Sequence, residues 1–206
     1  LPGPLFSPFT FLPFAFCSLH LLPFTFLPSS RLPSSFNSYL CSRKQVVFQQ
    51  FLFVNEFEKL GVDAQLTKAI QEIGFEKPTE IQEKAIPLLL TGTRDFIGLA
   101  QTGTGKTAAF GLPLLQLTDP SKKHPQALVI CPTRELCMQI SKDFISYKKH
   151  KAGIQTCAVY GGASISEQLK EIKKGVQIVV ATPGRLIDVI DRKAIDLSHI
   201  HYIVLD

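Results

Sequence analysis

The apolar residues of this chain follow two different spacings from about residue 56 onward. Two early stretches carry them three and four positions apart, which predicts amphipathic helices: Leu66, Ala69, Ile70 and Ile73, then Ile81, Ala85, Ile86 and Leu89. Later come short runs that are apolar throughout, as buried strands are: Phe96–Ala100, Ala127–Cys131, Thr156–Tyr160, Ile178–Ala181 and Tyr202–Leu205. Helical patterns at 135–147, 164–174 and 185–190 separate the last four runs. This alternation predicts an α/β fold with a mainly parallel sheet covered by helices on both faces.

The first 54 residues have a different composition from the rest. Residues 1–50 contain nine of the sixteen Phe and seven of the fourteen Pro, and a Leu-Pro-Phe repeat occurs at positions 12 and 22. Such a sequence has no helix or strand period, and its prolines interrupt any helix long enough to span a bilayer. We expect residues 1–54 to be a low-complexity segment that is disordered or non-native, with a disordered or membrane-associating extension as the alternative. Residues 55–206 form the predicted domain.

Charge and cysteine content give limited information about the partners and the cellular compartment of that domain. The net charge of +5 permits a polyanionic partner without identifying one. The five cysteines include no C-x-x-C pair, which argues against a disulfide framework and against a structural metal site. Free cysteines suit a reducing compartment, so a cytoplasmic protein without a membrane span is expected.

One glycine-rich stretch predicts a nucleotide site. It lies between an apolar run and a helical pattern, and it reads Ala100-Gln101-Thr102-Gly103-Thr104-Gly105-Lys106-Thr107. This is the phosphate-binding loop G-x-x-x-x-G-K-[ST], except that Ala100 stands at the first glycine position. Lys106 is placed to reach the β- and γ-phosphates, and the Thr107 hydroxyl to bind Mg²⁺. A nucleoside triphosphate is therefore the expected ligand.

A second stretch, Gly74-Phe75-Glu76-Lys77-Pro78-Thr79-Glu80-Ile81-Gln82, precedes that loop. The amide of Gln82 offers a donor and an acceptor together, which matches N6 and N7 of adenine. Phe75 is a candidate for stacking on the base. The same residues also fit a helix start, with Thr79 as N-cap and Gln82 closing a capping box. Both interpretations of Gln82 remain open at this point.

Three further loops follow apolar runs and are expected at one edge of the sheet. Arg134 and Arg185 offer planar, charged forks to phosphate groups, and we expect a helix to begin near each of them. Hydroxyls at Thr133 and Thr182, and glycines that admit a backbone closely, complete a surface suited to a sugar–phosphate backbone. Contacts of this kind do not depend on nucleotide sequence.

Taken in order, these stretches resemble the motifs of the DEAD-box ATP-dependent RNA helicases. Gly74–Gln82 is similar to the Q motif, with the family's upstream aromatic at Phe57, and Ala100–Thr107 to motif I, where alanine at the first position is usual. The remaining matches are Pro132-Thr133-Arg134-Glu135-Leu136 for motif Ia, Gly161-Gly162 for the GG motif, Thr182-Pro183-Gly184-Arg185 for motif Ib, and Val204-Leu205-Asp206 for the start of V-L-D-E-A-D. Cys137 stands where the family usually has Ala. The resemblance extends from Phe57 to Asp206.

The resemblance implies the N-terminal RecA-like domain of a helicase, with ATP and Mg²⁺ as cofactors and RNA as partner. It implies that Lys106, Thr107 and Asp206 are catalytic, and that Thr107 and Asp206 hold the metal. The implied ATP contacts are Phe57, Phe75, Lys77, Pro78, Thr79, Gln82, Ala100, Gln101, Thr102, Gly103, Thr104, Gly105, Lys106 and Thr107. The implied RNA contacts are Pro132, Thr133, Arg134, Gly161, Gly162, Thr182, Pro183, Gly184 and Arg185.

The activity implied is RNA-stimulated ATP hydrolysis coupled to local duplex unwinding. In the family it needs a second RecA-like domain and a glutamate after the first Asp of the D-E-A-D motif, and this chain contains neither. We therefore expect weak adenine-nucleotide binding and negligible hydrolysis from the chain by itself. An inert fragment that binds only nucleotide or RNA is the alternative. A DNA helicase or a transport ATPase is disfavoured by the Q motif.

Overall fold

The computed structural model describes residues 55–92 and 95–206, so the expectations for residues 1–54 lie outside the described residues. The helices are α1 (Glu56–Lys59), α2 (Ala64–Glu72), α3 (Glu80–Thr91), α4 (Lys106–Leu117), α5 (Arg134–Tyr147), α6 (Ile165–Lys173) and α7 (Pro183–Asp191). The strands are β1 (Ala127–Ile130), β2 (Thr156–Val159), β3 (Ile178–Ala181) and β4 (Tyr202–Leu205). Within this part of the chain, no helix is both long and apolar enough to cross a bilayer.

The four strands form one parallel sheet in the order β2-β3-β1-β4, which confirms the predicted sheet. The last residues of the strands are in register: Ile130 lies opposite both Ala181 and Leu205, and Val159 lies opposite Ala181. The carboxyl ends of all four strands therefore meet at one edge. In open α/β sheets this is the edge where ligands bind.

Helices cover both faces of the sheet because successive strand residues point to opposite sides. On one face, Val129 and Val180 belong to a core cluster with Leu112 of α4 and Phe144 of α5. On the other face, Val179 packs in a second cluster that contains residues of α6 and α7. Burial on both faces explains why these strands are apolar throughout rather than alternating.

The predicted strand at Phe96–Ala100 is wrong: residues 95–100 have no regular secondary structure. Ile97 and Leu99 are 88% and 93% exposed, although they are as apolar as residues of the formed strands. A groove of about 830 Å³ separates this segment from β4, which pairs with β1 alone among the strands of residues 55–92 and 95–206. A strand needs a neighbouring strand to pair its backbone N–H and C=O groups, and none lies beside this segment in the described residues.

One helix boundary also differs from expectation. The helix predicted to begin near Arg185 begins at Pro183, two residues earlier, and Thr182 is its N-cap residue. Proline suits the first turn because its fixed φ is already helical and its missing N–H would be unpaired there. Arg185 therefore lies inside the first turn. The helix expected near Arg134 does begin at that residue.

Candidate nucleotide and nucleic-acid site

The phosphate-binding loop ends in an open helix N-terminus. Helix α4 begins at Lys106 with Gly105 as N-cap, and no described side chain caps it. Gly103 and Gly105 have φ values of +82° and +84°, which other residues rarely adopt. The Thr104 hydroxyl donates to Gln101 O at 2.7 Å and closes the turn. The first N–H groups of α4, together with its dipole, are thus available to an anion.

Gln82 joins the helix before the loop to the loop itself. Its side chain is fully buried, with Nε2 donating to Gly105 O at 3.0 Å and Oε1 accepting from Thr79 N at 2.9 Å. The Thr79 hydroxyl donates to Thr104 O at 2.8 Å. The capping relation that the sequence allowed is therefore present, and the amide also contacts the phosphate loop. A Cβ at position 105 would lie 2.3 Å from Gln82 Nε2, so glycine is required for this approach.

The candidate aromatic residues contact each other edge to face. Phe57 is fully buried, and its ring centre lies 6.2 Å from that of Phe75 in an edge-to-face arrangement. Phe75 is half-buried and makes a similar contact with Tyr147 at 6.1 Å. In this structure Phe57 supports Phe75 rather than presenting a face of its own. Lys77 and Thr79 beside them are exposed, and Pro78 is half-buried.

Lys106 and Asp206 lie at the same groove, although one hundred positions separate them in the chain. Asp206 N donates to Ile130 O at 3.0 Å, which continues the pairing of β4 with β1 and fixes where the residue leaves the sheet. Thr107 follows Lys106 in the first turn of α4 and is half-buried. The Lys106 ammonium and the Asp206 carboxylate thus lie at one groove, and the Thr107 hydroxyl belongs to the residue after Lys106 in the helix.

The two loops after β1 and β2 contact each other through Arg134. The Thr133 hydroxyl caps α5 by accepting from Leu136 N at 3.2 Å, which sets the direction of the first turn. The Arg134 guanidinium lies 5.2 Å above the ring centre of Tyr160, a cation–π geometry. Gly162 has a φ of +82°, and a Cβ there would lie 2.7 Å from Arg134 Nη1. The glycine therefore makes room for the arginine.

Arg185 in the loop after β3 is turned inward. Its Nη1 donates to Ala163 O and to Gln168 Oε1, each at 3.1 Å, and its side chain is 12% exposed. Thr182 N donates to Val159 O at 2.9 Å. The structure thus brings together the loops of Arg134, of Gly161 and Gly162, and of Thr182–Arg185, as the sequence predicts. It shows one guanidinium stacked on a ring and the other bonded within the protein.

Two residues of this network are absent from the sequence-based candidates. Gln168 is polar but stands at a core position of the helical spacing Ile165, Gln168, Leu169, Ile172, and this mismatch was the available signal. Tyr160 directly precedes the glycine pair, where a strand-like run ends. Neither type of residue stands out without knowledge of the packing.

The cysteines near this edge are structural. Cys137 Sγ donates to Val180 O at 3.2 Å, and burial raises the pKa of its thiol to about 12. Burial also raises the pKa of Cys131. Thiols that remain protonated are poor nucleophiles. The cysteine at position 137 therefore fills the space between α5 and β3.

Comparison with known proteins identifies a family for this arrangement. The model of the DEAD/DEAH box helicase family matches residues 79–206. The ATP-dependent RNA helicase CshA of Listeria monocytogenes is 49% identical over 155 residues, which are 74% of this chain and 29% of that protein. The ATP-dependent RNA helicase DeaD of Escherichia coli K12 is 49% identical over 154 residues, 75% of this chain and 24% of that protein. The chain thus spans between 24% and 29% of the length of these relatives.

Solved structures show the same likeness. A DEAD box protein from Methanococcus jannaschii superposes with a TM-score of 0.69 and 38% identity, covering 73% of this chain and 41% of that one. A Dbp5 variant from Saccharomyces cerevisiae, bound to RNA and ADP BeF3, has a TM-score of 0.66 and 35% identity. It covers 74% of this chain and 38% of the Dbp5 chain. The parallel sheet with helices on both faces is therefore the fold of these proteins.

Proposed function

We propose, because this chain belongs to the DEAD/DEAH box helicase family, that it is the ATP-binding RecA-like part of an RNA helicase. The observation that carries the proposal is the open N-terminus of α4, with Lys106 and Asp206 at one groove beside it. In the whole protein we expect ATP hydrolysis, stimulated by RNA, to drive local separation of RNA strands. The family and the absence of a membrane-spanning helix among the described residues are consistent with a cytoplasmic protein.

The phosphate loop and α4 would bind the triphosphate. Backbone N–H groups at the start of α4 donate to phosphate oxygens, and the Lys106 ammonium neutralises their charge. The residues present fit a metal–nucleotide complex, since the start of α4 has no side-chain cap, Thr107 supplies a hydroxyl, and Asp206 supplies a carboxylate at the same groove as Lys106. Thr107 and Asp206 would hold Mg²⁺, which when bound offsets the negative charge that develops on the phosphates.

The segment before the phosphate loop would select the base. Phe75, braced by Phe57, would lie against adenine together with Lys77 and Pro78, and Gln82 would read its edge. Each end of the Gln82 amide can form a second hydrogen bond beside those to Gly105 O and Thr79 N, and these second positions would pair with adenine. Nucleotide binding and the position of the phosphate loop are then coupled through this one side chain.

The three loops after β1, β2 and β3 would hold an RNA backbone. The residues proposed to form this surface are Pro132, Thr133, Arg134, Gly161, Gly162, Thr182, Pro183, Gly184 and Arg185. Arg134 supplies exposed positive charge, while the glycines allow the backbone of the RNA to approach the backbone of the protein. Such contacts read no bases, so the choice of RNA would depend on other parts of the protein. Unwinding would further need a second RecA-like domain that closes over this edge.

Titration with a fluorescent ATP analogue in the presence of Mg²⁺ tests the nucleotide site. We expect Lys106→Ala to weaken binding by about tenfold or more, because it removes a charge-assisted contact to phosphate. Lys173→Ala, which removes an exposed lysine at the end of α6, is the matched control and should leave binding unchanged. Equal affinities for the wild type and Lys106→Ala would contradict the proposed site.

Competition with unlabelled nucleotides tests the base preference separately. ATP should displace the analogue at lower concentration than GTP, and Gln82→Ala should narrow that difference. An unchanged preference in Gln82→Ala would remove the adenine-reading role but leave the phosphate site intact. The two parts of the proposal can therefore fail independently.

A further inference from the structure

Gln168 is a buried amide that links two of the three loops. Its side chain is 6% exposed, and both ends of the amide are paired: Nε2 donates to Tyr160 O at 3.1 Å, and Oε1 accepts from Arg185 Nη1 at 3.1 Å. Tyr160 precedes the glycine pair of the loop after β2, and Arg185 lies in the first turn after β3. Burying an amide is unfavourable unless its partners are well placed, so this side chain specifies how the two loops sit together.

Arg185 also connects the loop after β2 to the first turn after β3. Its Nη1 reaches Ala163 O, just after the glycine pair, as well as the Gln168 amide. Its Nε lies 3.7 Å from Asp188 Oδ2, one turn further along α7. Because the Arg185 guanidinium has these partners and is little exposed, its role is to hold protein groups together. A phosphate group would have to compete with three protein oxygens for it.

Tyr160 links the remaining loop through its ring. The ring stacks under the Arg134 guanidinium, while the backbone carbonyl of the same residue accepts from Gln168. No hydrogen bond to the Tyr160 hydroxyl occurs among the described residues. The ring face, rather than the hydroxyl, is therefore what holds the arginine.

We propose that Tyr160 and Gln168 are positioning residues that lock the three loops into one preformed surface for an RNA backbone. Within that surface Arg134 is the guanidinium that meets phosphate, and Arg185 is an internal brace. The proposal rests on the proposed RNA-binding function and goes beyond it by assigning different roles to the two arginines: Arg134 contacts phosphate, and Arg185 holds the loops in place. A surface that is already ordered loses less conformational freedom on binding, so loosening it weakens RNA affinity without touching the nucleotide site.

The first test measures binding of a fluorescein-labelled ten-nucleotide uridine RNA by anisotropy at low salt, using the full chain. Gln168→Leu keeps the volume but removes both hydrogen bonds, and we expect about threefold to tenfold weaker RNA binding. Gln168→Glu keeps an acceptor for Arg185 and loses only the donor to Tyr160, so its loss should be smaller. Binding of the fluorescent ATP analogue and the melting temperature are measured for each variant, and the ATP analogue should bind as it does to wild type.

The second test uses a matched pair at Tyr160. Tyr160→Phe retains the ring and should bind RNA like the wild type, whereas Tyr160→Leu should weaken binding by about twofold to fivefold, the size of an exposed cation–π contact. In an Arg134→Ala background, Tyr160→Leu should cause no further loss. A residue that only stabilises the fold would give additive losses in this double-mutant cycle.

The outcomes separate this inference from the proposed function. If Arg134→Ala weakens RNA binding while Gln168→Leu and Tyr160→Leu bind like the wild type, the positioning role is wrong and the RNA site stands. If Arg185→Ala weakens binding while Arg134→Ala does not, the division of work between the arginines is wrong. If RNA does not bind, or if none of these variants changes its binding, the proposed RNA surface itself is wrong. Should Gln168→Leu fail to fold, the Tyr160 pair and its cycle with Arg134 decide the question.

Discussion

The loops on the two sides of the carboxyl edge are held in different ways. On the side of β1, β2 and β3, backbone pairing continues past the ends of the strands: Cys131 N donates to Ala181 O at 3.0 Å, and Thr182 N to Val159 O at 2.9 Å. On the other side, the phosphate loop follows residues 95–100, which pair with no strand in the described part of the chain, and Ile97 and Leu99 are exposed. The phosphate loop is held from behind instead, by α4 and by the contact of Gln82 with Gly105.

This difference shows what an apolar run needs in order to become a strand. Phe96–Ala100 and Ile178–Ala181 are both short apolar runs, but only the second lies between two partner strands, β1 and β2. Helices on both faces then bury it completely. Strand β4 is intermediate, because it pairs along one side and Ile203 remains 63% exposed. Whether an apolar run forms a strand therefore depends on its partner strands and on the helices that cover it, rather than on its composition.

The largest expected difference between strand β3 and residues 95–100 is in how much each contributes to the stability of the fold. Ile178→Ala should reduce the free energy of unfolding by about 2–5 kcal/mol, because it opens a cavity in the most enclosed strand of the sheet. Ile97→Ala, the same substitution in the unpaired segment, should change it by less than about 0.5 kcal/mol. Urea unfolding followed by circular dichroism measures both. Similar losses in the two variants would mean that residues 95–100 are packed as a strand in solution.

The next contrast is in thiol reactivity. Cys157 on β2 is buried, and burial together with the nearby Glu171 carboxylate raises the pKa of its thiol to about 12. Raising the pH from 7 to 9 should therefore leave its alkylation by iodoacetamide slow, since the thiolate appears only near the raised pKa. The thiol introduced by Ile97→Cys should react at least about a hundredfold faster, and its rate should rise through the usual thiol pKa of about 8.5. Mass spectrometry of tryptic peptides resolves each site, and equal rates would contradict the difference in burial.

The smallest expected difference is between two glycines of the phosphate loop, Gly105 and Gly103. Gly105→Ala should weaken binding of the fluorescent ATP analogue by about tenfold, because its Cβ displaces the Gln82 amide and its φ of +84° is unfavourable for alanine. Gly103→Ala has a similar φ of +82° but meets no atom within 4 Å, so it should lose about threefold or less. If both variants bind equally, the contact of Gln82 with Gly105 contributes nothing to the site.

The sequence predicts most of the fold because its periods reflect the packing directly. Runs at 127–131, 156–160, 178–181 and 202–205 became strands within one residue of their predicted ends, since each lies in the sheet and contributes to its core. The run at 96–100 failed because a sequence pattern does not report whether a neighbouring strand is present. Helix α7 begins at Pro183 rather than near Arg185, because proline fits the first turn of a helix but is not part of the apolar period.

The sequence indicated the loops of the candidate site but not the side-chain contacts between them. Spacing along the chain indicated the phosphate loop and three further loops, and the structure brings those three loops together. The spacing did not separate two arginines of identical type, one stacked on Tyr160 and one bonded to Gln168. Those roles depend on residues 17 to 26 positions away that become neighbours only when strands pair in the order β2-β3-β1.

Hydrogen–deuterium exchange of the full chain tests the central claim, that one edge of the sheet carries a nucleotide site and a separate RNA surface. Exchange is measured with a non-hydrolysable ATP analogue and Mg²⁺, and separately with the ten-nucleotide uridine RNA. We predict that the nucleotide slows exchange at residues 100–108, and that RNA slows it at 132–136, 160–163 and 182–186. Slowing of the three RNA loops by nucleotide alone, or RNA protection elsewhere with these loops unaffected, would contradict the account.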